Sequence, residues 1–396
     1  MMYKVSLAKK TRLLAGLLLL VSLLLVACGD STATTVPAAT TAAAVSAGAT
    51  TVAAKPAVSA VAGEKFKVAF VYVGPVGDGG WTFAHDTGRK YLLEKLPNVE
   101  ATFIENVPES AADAERVITE LAQKGNKMIF TTSFGYMDPT INVAKKFPKV
   151  YFEHATGYKT AENVATYQVR QYQPRYLAGI IAGKMTKTNS IGYVAAFPIP
   201  EVIGGIDAFT LGARSVNPNA KVKVIWTNTW YDPAVEKTAA KSLLDTGVDI
   251  LAQHQDTPST LQAAQEVGKF AFGNDSIMES YAPKAHLASP YWNWGIYYVD
   301  RVKAAMDGTW KAAEYFGGYK EGVVDLSTTN MVVPDDVKKL VEDKKAAMKA
   351  GTFDVYTGVI KDQKGAVKLA EGQKMSDKDI LSLDYFFEGI DGNPKP

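Results

Sequence analysis

Aromatic rings and carboxylates recur in this chain where strand-like runs stop. Four of its six tryptophans, Trp81, Trp230, Trp292 and Trp294, fall at or beside such ends. So do Asp78, Phe134, His154, Asp256, Asp275 and Asn293. Core tryptophans more often sit inside elements, whereas rings at loop tips mark a binding surface. Flat rings beside acids and amides suit a planar heteroaromatic ligand, which stacks on the rings and offers N–H groups at its edges. A purine meets both demands, and each stacked face is worth roughly 1–3 kcal/mol. Pyranose rings also stack on aromatics, so a sugar stays open, as does the alternative that these rings only pack two halves of the protein together.

Catalytic patterns are missing. The loop Gly74-Pro-Val-Gly77-Asp78-Gly79-Gly80 follows a strand-like run and precedes a helix-like one, yet its spacing departs from the dinucleotide fingerprint and Asp78 would repel a pyrophosphate. Its glycines let backbone come close to a small neutral ligand. The four histidines, His85, His154, His254 and His286, lie on separate segments without a metal-ligand pair. No Gly-x-Ser-x-Gly elbow occurs, and Asp335-Asp336 opens a helix-like run as a complement to its dipole. The expectation is a binding protein with no enzyme activity, metal or cofactor.

Those strand ends need an alternating scaffold. Strand-like runs lie at 65–73, 99–107, 127–134, 149–155, 164–170, 190–197, 221–230, 248–255, 269–275 and 285–292, with helical spacing between them, including 82–96, 110–124, 174–185, 233–246 and 294–306. Asp138-Pro139 and Asp232-Pro233 read as caps before a first-turn proline, and Ser110 to Asp113 as a capping box. The alternation predicts an α/β fold with parallel sheets covered on both faces, divided into two doubly wound lobes. Ligands of such sheets bind beyond the carboxyl ends of the strands.

The first residues read as an address. Basic Lys4, Lys9, Lys10 and Arg12 precede an apolar run at 13–26, shorter than the roughly 20 residues of a membrane span, and the run ends in Leu25-Val26-Ala27-Cys28. That is a secretory signal peptide over 1–28. Its closing tetrapeptide resembles a bacterial lipobox, which makes Cys28, the chain's single cysteine, a lipidation site and a membrane anchor. Residues 29–64, nearly all Ala, Thr, Val, Ser, Pro and Gly, read as a tether. With 43 basic against 41 acidic side chains, nothing in the charge balance favours nucleic acid.

Together with this leader, the Asp78-Gly-Gly-Trp81 loop, the run Arg175 to Gly179, Gly247-Val-Asp249 and Gly273-Asn-Asp275 resemble the basic membrane protein (BMP) family of ABC-transporter substrate-binding lipoproteins. The resemblance implies a type I periplasmic-binding fold, with crossovers near Gln173, Asn293 and Val324. Lobe 1 would comprise 65–173 plus 294–323, and lobe 2 174–293 plus 324–396. It also implies a monomer on the extracytoplasmic face, closing on a purine for ABC permease subunits. On that pattern Asp78, Trp81, Trp230 and Asp275 contact the ligand. Thr82, His154 and the Tyr291-Trp292-Asn293 segment depart from the family's usual asparagine, aspartate and lysine, and favour a free base such as adenine over a nucleoside.

Overall fold

A computed structural model describes residues 63–395. The leader, Cys28 and nearly all of the tether lie outside the described residues. The strands are β1 (Phe66–Val71), β2 (Val99–Ile104), β3 (Met128–Thr131), β4 (Tyr151–Ala155), β5 (Val164–Val169), β6 (Ser190–Ala195), β7 (Lys221–Trp226), β8 (Ile250–His254), β9 (Phe270–Ala271), β10 (Pro290–Trp292), β11 (Glu314–Gly317), β12 (Val324–Leu326), β13 (Ile360–Lys361), β14 (Val367–Leu369) and β15 (Ile390–Asp391). The α-helices are α1 (Trp81–Lys95), α2 (Ala111–Gln123), α3 (Met137–Lys146), α4 (Tyr172–Met185), α5 (Pro200–Val216), α6 (Pro233–Asp245), α7 (Ser259–Glu266), α8 (Trp294–Met306), α9 (Asp335–Lys349) and α10 (Asp377–Ile380).

Two all-parallel sheets organise the chain. The first runs β11-β5-β4-β3-β1-β2 and the second β15-β7-β6-β8-β9. Each strand of such a sheet must be apolar on both sides, and β1 shows how. Phe66, Val68 and Phe70 enter the cluster that also holds residues of α1 and α8, while Ala69 and Val71 enter the one that holds α2 and α3. In the first cluster Phe70 stacks on Phe130 at 4.7 Å, and the imidazole of His85 stacks on Trp294 at 4.6 Å. Trp294 is therefore core, 1% exposed. In the second sheet α4 and α5 cross so closely that a Cβ on Gly179 would stand 2.0 Å from the Phe209 carbonyl, and one on Gly212 2.0 Å from that of Tyr176. Glycine there lets two helix backbones touch.

Of the three predicted cap signals, two hold. Asp232 caps α6 by accepting from the backbone N–H of Ala234 and Val235, and Ser110 caps α2 by accepting from Asp113 N–H. Asp138 instead lies in the first turn of α3, which begins a residue earlier, and pairs with Lys159 at 2.6 Å. Segment 285–292 also differs from expectation. Only Pro290–Trp292 is a strand, and it pairs antiparallel with β12 outside both sheets. These two strands carry the chain between the sheets, since β10 leaves the second for α8 and β12 returns from β11. The chain first passes from one sheet to the other between β5 and β6, through α4.

Candidate functional site

In both sheets the first strand by sequence lies between the second and the third, in the orders β2-β1-β3 and β7-β6-β8. The connections after the first and third strands therefore leave in opposite directions, and a crevice opens between them at the carboxyl ends. The two crevices face each other across a narrow pocket. Trp81 and Phe134 come to it from the first sheet, and Trp230, Asp256 and Asp275 from the second. Val73, Ser133, Thr156, Ile199, Glu201 and His254 complete the wall.

Five of the nine candidate ligand residues thus meet at one pocket. Trp81 is fixed by donating from Nε1 to the Thr132 carbonyl at 2.6 Å, while Trp230 leans on Phe197 with ring centroids 5.0 Å apart. Asp256 and Asp275 are 2% and 1% exposed. Asp275 accepts one bond, from Trp292 Nε1 at 2.7 Å. The Oδ2 atoms of both aspartates have no partner, and buried acceptors of that kind demand donors.

The other four lie elsewhere. Asp78 is saturated: its oxygens accept from the N–H groups of Gly80, Thr82 and Phe83 at 2.8–2.9 Å, so it holds the start of α1. His154 lies on the flank of β4 toward Thr131, whose hydroxyl is 3.0 Å from Nδ1. The residue from that strand end that lines the pocket is Thr156, held at φ +61°. Trp292 sits on a crossover strand and reaches the pocket only through Asp275, while Asn293 donates to the Gly322 carbonyl across the crossovers. The glycine loop also has another neighbour than expected. A Cβ on Gly80 would fall 2.4 Å from the Asp256 carbonyl oxygen, and Ser276 Oγ donates to the Gly79 carbonyl. The glycines let the two lobes approach each other.

Three contributors escaped the sequence reading. Glu201 accepts from Gln171 Nε2 and stands 3.9 Å from His254 Nε2. A carboxylate beside Nε2 favours the tautomer protonated there, leaving His254 Nδ1, which has no partner, as a third acceptor. Arg175, 2% exposed, braces the floor by donating to Tyr193 Oη (2.7 Å), Asn274 Oδ1 (2.7 Å), Gln253 O and Gln171 Oε1 (both 3.1 Å). Its signal was visible: a cation in the first turn of a helix that is then apolar on every side until Lys184 in its last turn.

Burial dominates the electrostatics. It pushes Asp275 up to about 7, against the lowering effect of Arg175 and the Trp292 bond. Glu201 rises to about 7 by burial, opposed by Arg175 and Gln171. Asp256 is driven well above the carboxylate range by burial, then by the charges of Asp78 and Asp275. Burial, then Arg175, holds His254 well below its ordinary value, so its ring is neutral. Among the described residues no cluster of histidines and acids has metal-binding geometry.

Two doubly wound lobes joined by crossovers, with a pocket between their facing carboxyl edges, make up the type I periplasmic-binding fold. A solute-binding protein of an ABC transporter system from Aeropyrum pernix K1 shares this fold, with a TM-score of 0.65 at 21% identity over 75% of this chain and 93% of that one. The family model Bmp, ABC transporter substrate-binding protein PnrA-like, matches residues 65–355, and the chain belongs to that family. A purine-binding protein of Brucella abortus (strain 2308) is 52% identical over 84% of this chain and 95% of its own length. A putative ABC transporter glucose-binding protein of Haloferax volcanii is 40% identical over 83% of this chain and 81% of its own. The protein is thus a substrate-binding component of an ABC transporter, a family that works on the extracytoplasmic side. Among the described residues no helix is long and apolar enough to cross a membrane.

Proposed function

We propose that this protein captures a free purine, adenine in preference to oxopurines and nucleosides, between its two lobes and presents it to its permease. The observation that carries the reading is the match between apolar and polar parts of the pocket. Rings from both lobes offer stacking faces, and the unpartnered buried atoms at the wall, Asp256 Oδ2, Asp275 Oδ2 and His254 Nδ1, accept hydrogen bonds once the acids are ionised, the form that the N–H edge of a bound base stabilises. Adenine brings two N–H on its amino group and one on its imidazole ring. A 6-oxopurine replaces the amino group with a carbonyl, which the ionised acids of the wall repel, and Ser133 Oγ is not free to meet it because it donates to Glu109. The name of the Brucella relative supports a purine.

The mechanism is capture without bond making. The base stacks on one lobe, closure brings the other lobe's ring over its second face, and the acids take its N–H edge. Cys28 is proposed as the lipid anchor that keeps the receptor at the membrane, and Cys28→Ser releases it into the soluble fraction.

A sugar is the second reading. Hydroxyls also donate to carboxylates, and the Haloferax relative is named for glucose. Titration calorimetry with adenine, guanine, adenosine, inosine and glucose separates these readings. Adenine is expected to bind most tightly; stronger nucleosides reverse the base preference, and glucose binding without purine binding overturns the proposal.

A further inference from the structure

Beside the base pocket lies a second, roomier cavity open to solvent. Phe134, Thr156, Ile199 and Glu201 line both, so the two spaces adjoin. The outer wall of the second comes from a part of the chain the family match does not reach. That match ends at residue 355, whereas Tyr356, Ile380 and Leu381 close the cavity. The segment that carries them is built onto the second sheet, where β15 pairs with β7 and Phe387 N–H donates to Asp207 Oδ1 at 2.9 Å. It reaches the first lobe through Asp377, whose carboxylate takes two parallel bonds of 2.6 and 2.7 Å from the Arg170 guanidinium. Arg170 in turn lies over the Phe316 ring, 4.3 Å from its centroid. Bidentate pairing with a stacked arginine fixes geometry as well as energy, so this roof is held in place.

We propose that this cavity is a subsite for an apolar arm on the captured base, which makes a purine carrying an alkyl or aryl substituent a ligand of this protein. The inference rests on the purine reading and extends it. Its chemistry follows from which wall atoms are free. Tyr172 accepts from Arg170, Tyr356 donates to the Gly204 carbonyl, Thr156 donates to the Ala155 carbonyl, and Gln171 is engaged at both ends with Glu201 and Arg175. What these residues and their neighbours present inward is chiefly ring and aliphatic surface, which favours an apolar arm; Gln168, Tyr158 and Glu201 are the remaining polar side chains of the wall.

The test is calorimetry on the full folded body with adenine, 6-benzylaminopurine, 9-benzyladenine and adenosine, repeated on Leu381→Trp, which narrows the cavity from its exposed rim. At least one benzyl ligand is expected to bind within threefold of adenine or more tightly, and Leu381→Trp to weaken that ligand tenfold or more while leaving adenine within twofold. Adenine binding with both benzyl ligands weakened tenfold or more overturns the subsite and leaves the purine reading standing, as does adenosine binding more tightly than either. Loss of adenine binding as well overturns both.

Discussion

Asp275 stands in the left-handed region at φ +64°, a conformation aspartate tolerates and one that collects at functional positions. It is held there beside a crossover strand by Trp292, buried and with its value raised to about 7. Asp275→Asn keeps an oxygen for the Trp292 bond and removes the charge. The expected result is a loss of purine affinity of tenfold or more by calorimetry. The same variant reports on the empty protein. An unfolded aspartate ionises near about 4, so between there and about 7 the folded state binds more protons than the unfolded one and stability falls as pH rises. The unfolding temperature of the empty protein should therefore drop from pH 5 to pH 8, and drop less in Asp275→Asn. Trp230 is half-buried and packs on Phe197, so Trp230→Ala should keep the fold by circular dichroism and lose most purine affinity; unchanged binding would remove it from the site. Tryptophans at strand ends were readable as a set. Which were site and which were core was not, because Trp81 and Trp294 lie 5.6 Å apart and differ in whether a second lobe faces them.

Loops and caps carry the next level of the design. Asp78 ties three N–H groups at the head of α1, and the glycines beside it let the loop lie against the opposite lobe. Gly80→Ala places a methyl 2.4 Å from the Asp256 carbonyl, a contact between lobes, so the empty protein should unfold at its usual temperature while ligand no longer raises that temperature. A lowered temperature without ligand would show that the contact belongs to the fold itself. Cap and helix signals were legible because they act over one turn: Asp232 and Ser110 hold the positions their neighbours imply. Asp138 departs because the turn at Phe134–Tyr136 runs directly into α3 and starts the helix before the aspartate.

Closure is a property of the whole body, and the segment beyond β12 takes part in it through Arg170 and Asp377. That pair is partly exposed, with side chains 21% and 52% accessible, so its contribution is of the order of 0.2–1 kcal/mol. Asp377→Asn should weaken adenine by no more than about fivefold, chiefly through faster release measured by stopped-flow fluorescence; a larger loss would place Asp377 in the base pocket itself. The apolar runs and their alternation already specified doubly wound α/β winding and put rings and acids at carboxyl ends, since burying a strand on both faces leaves its mark on every residue of the run. The reading of residues 1–28 as a leader likewise rests on local composition. Strand order was not written there. It comes from packing distant segments against one another, and it alone determines that β1 pairs with β3 and β6 with β8, that Glu201 and His254 join the pocket with Arg175 braced behind them, and that His154 turns away. Contacts between residues about a hundred positions apart, such as Arg175 with Asn274, have no period for a sequence to display, so the company these buried polar groups keep emerged only in the folded chain.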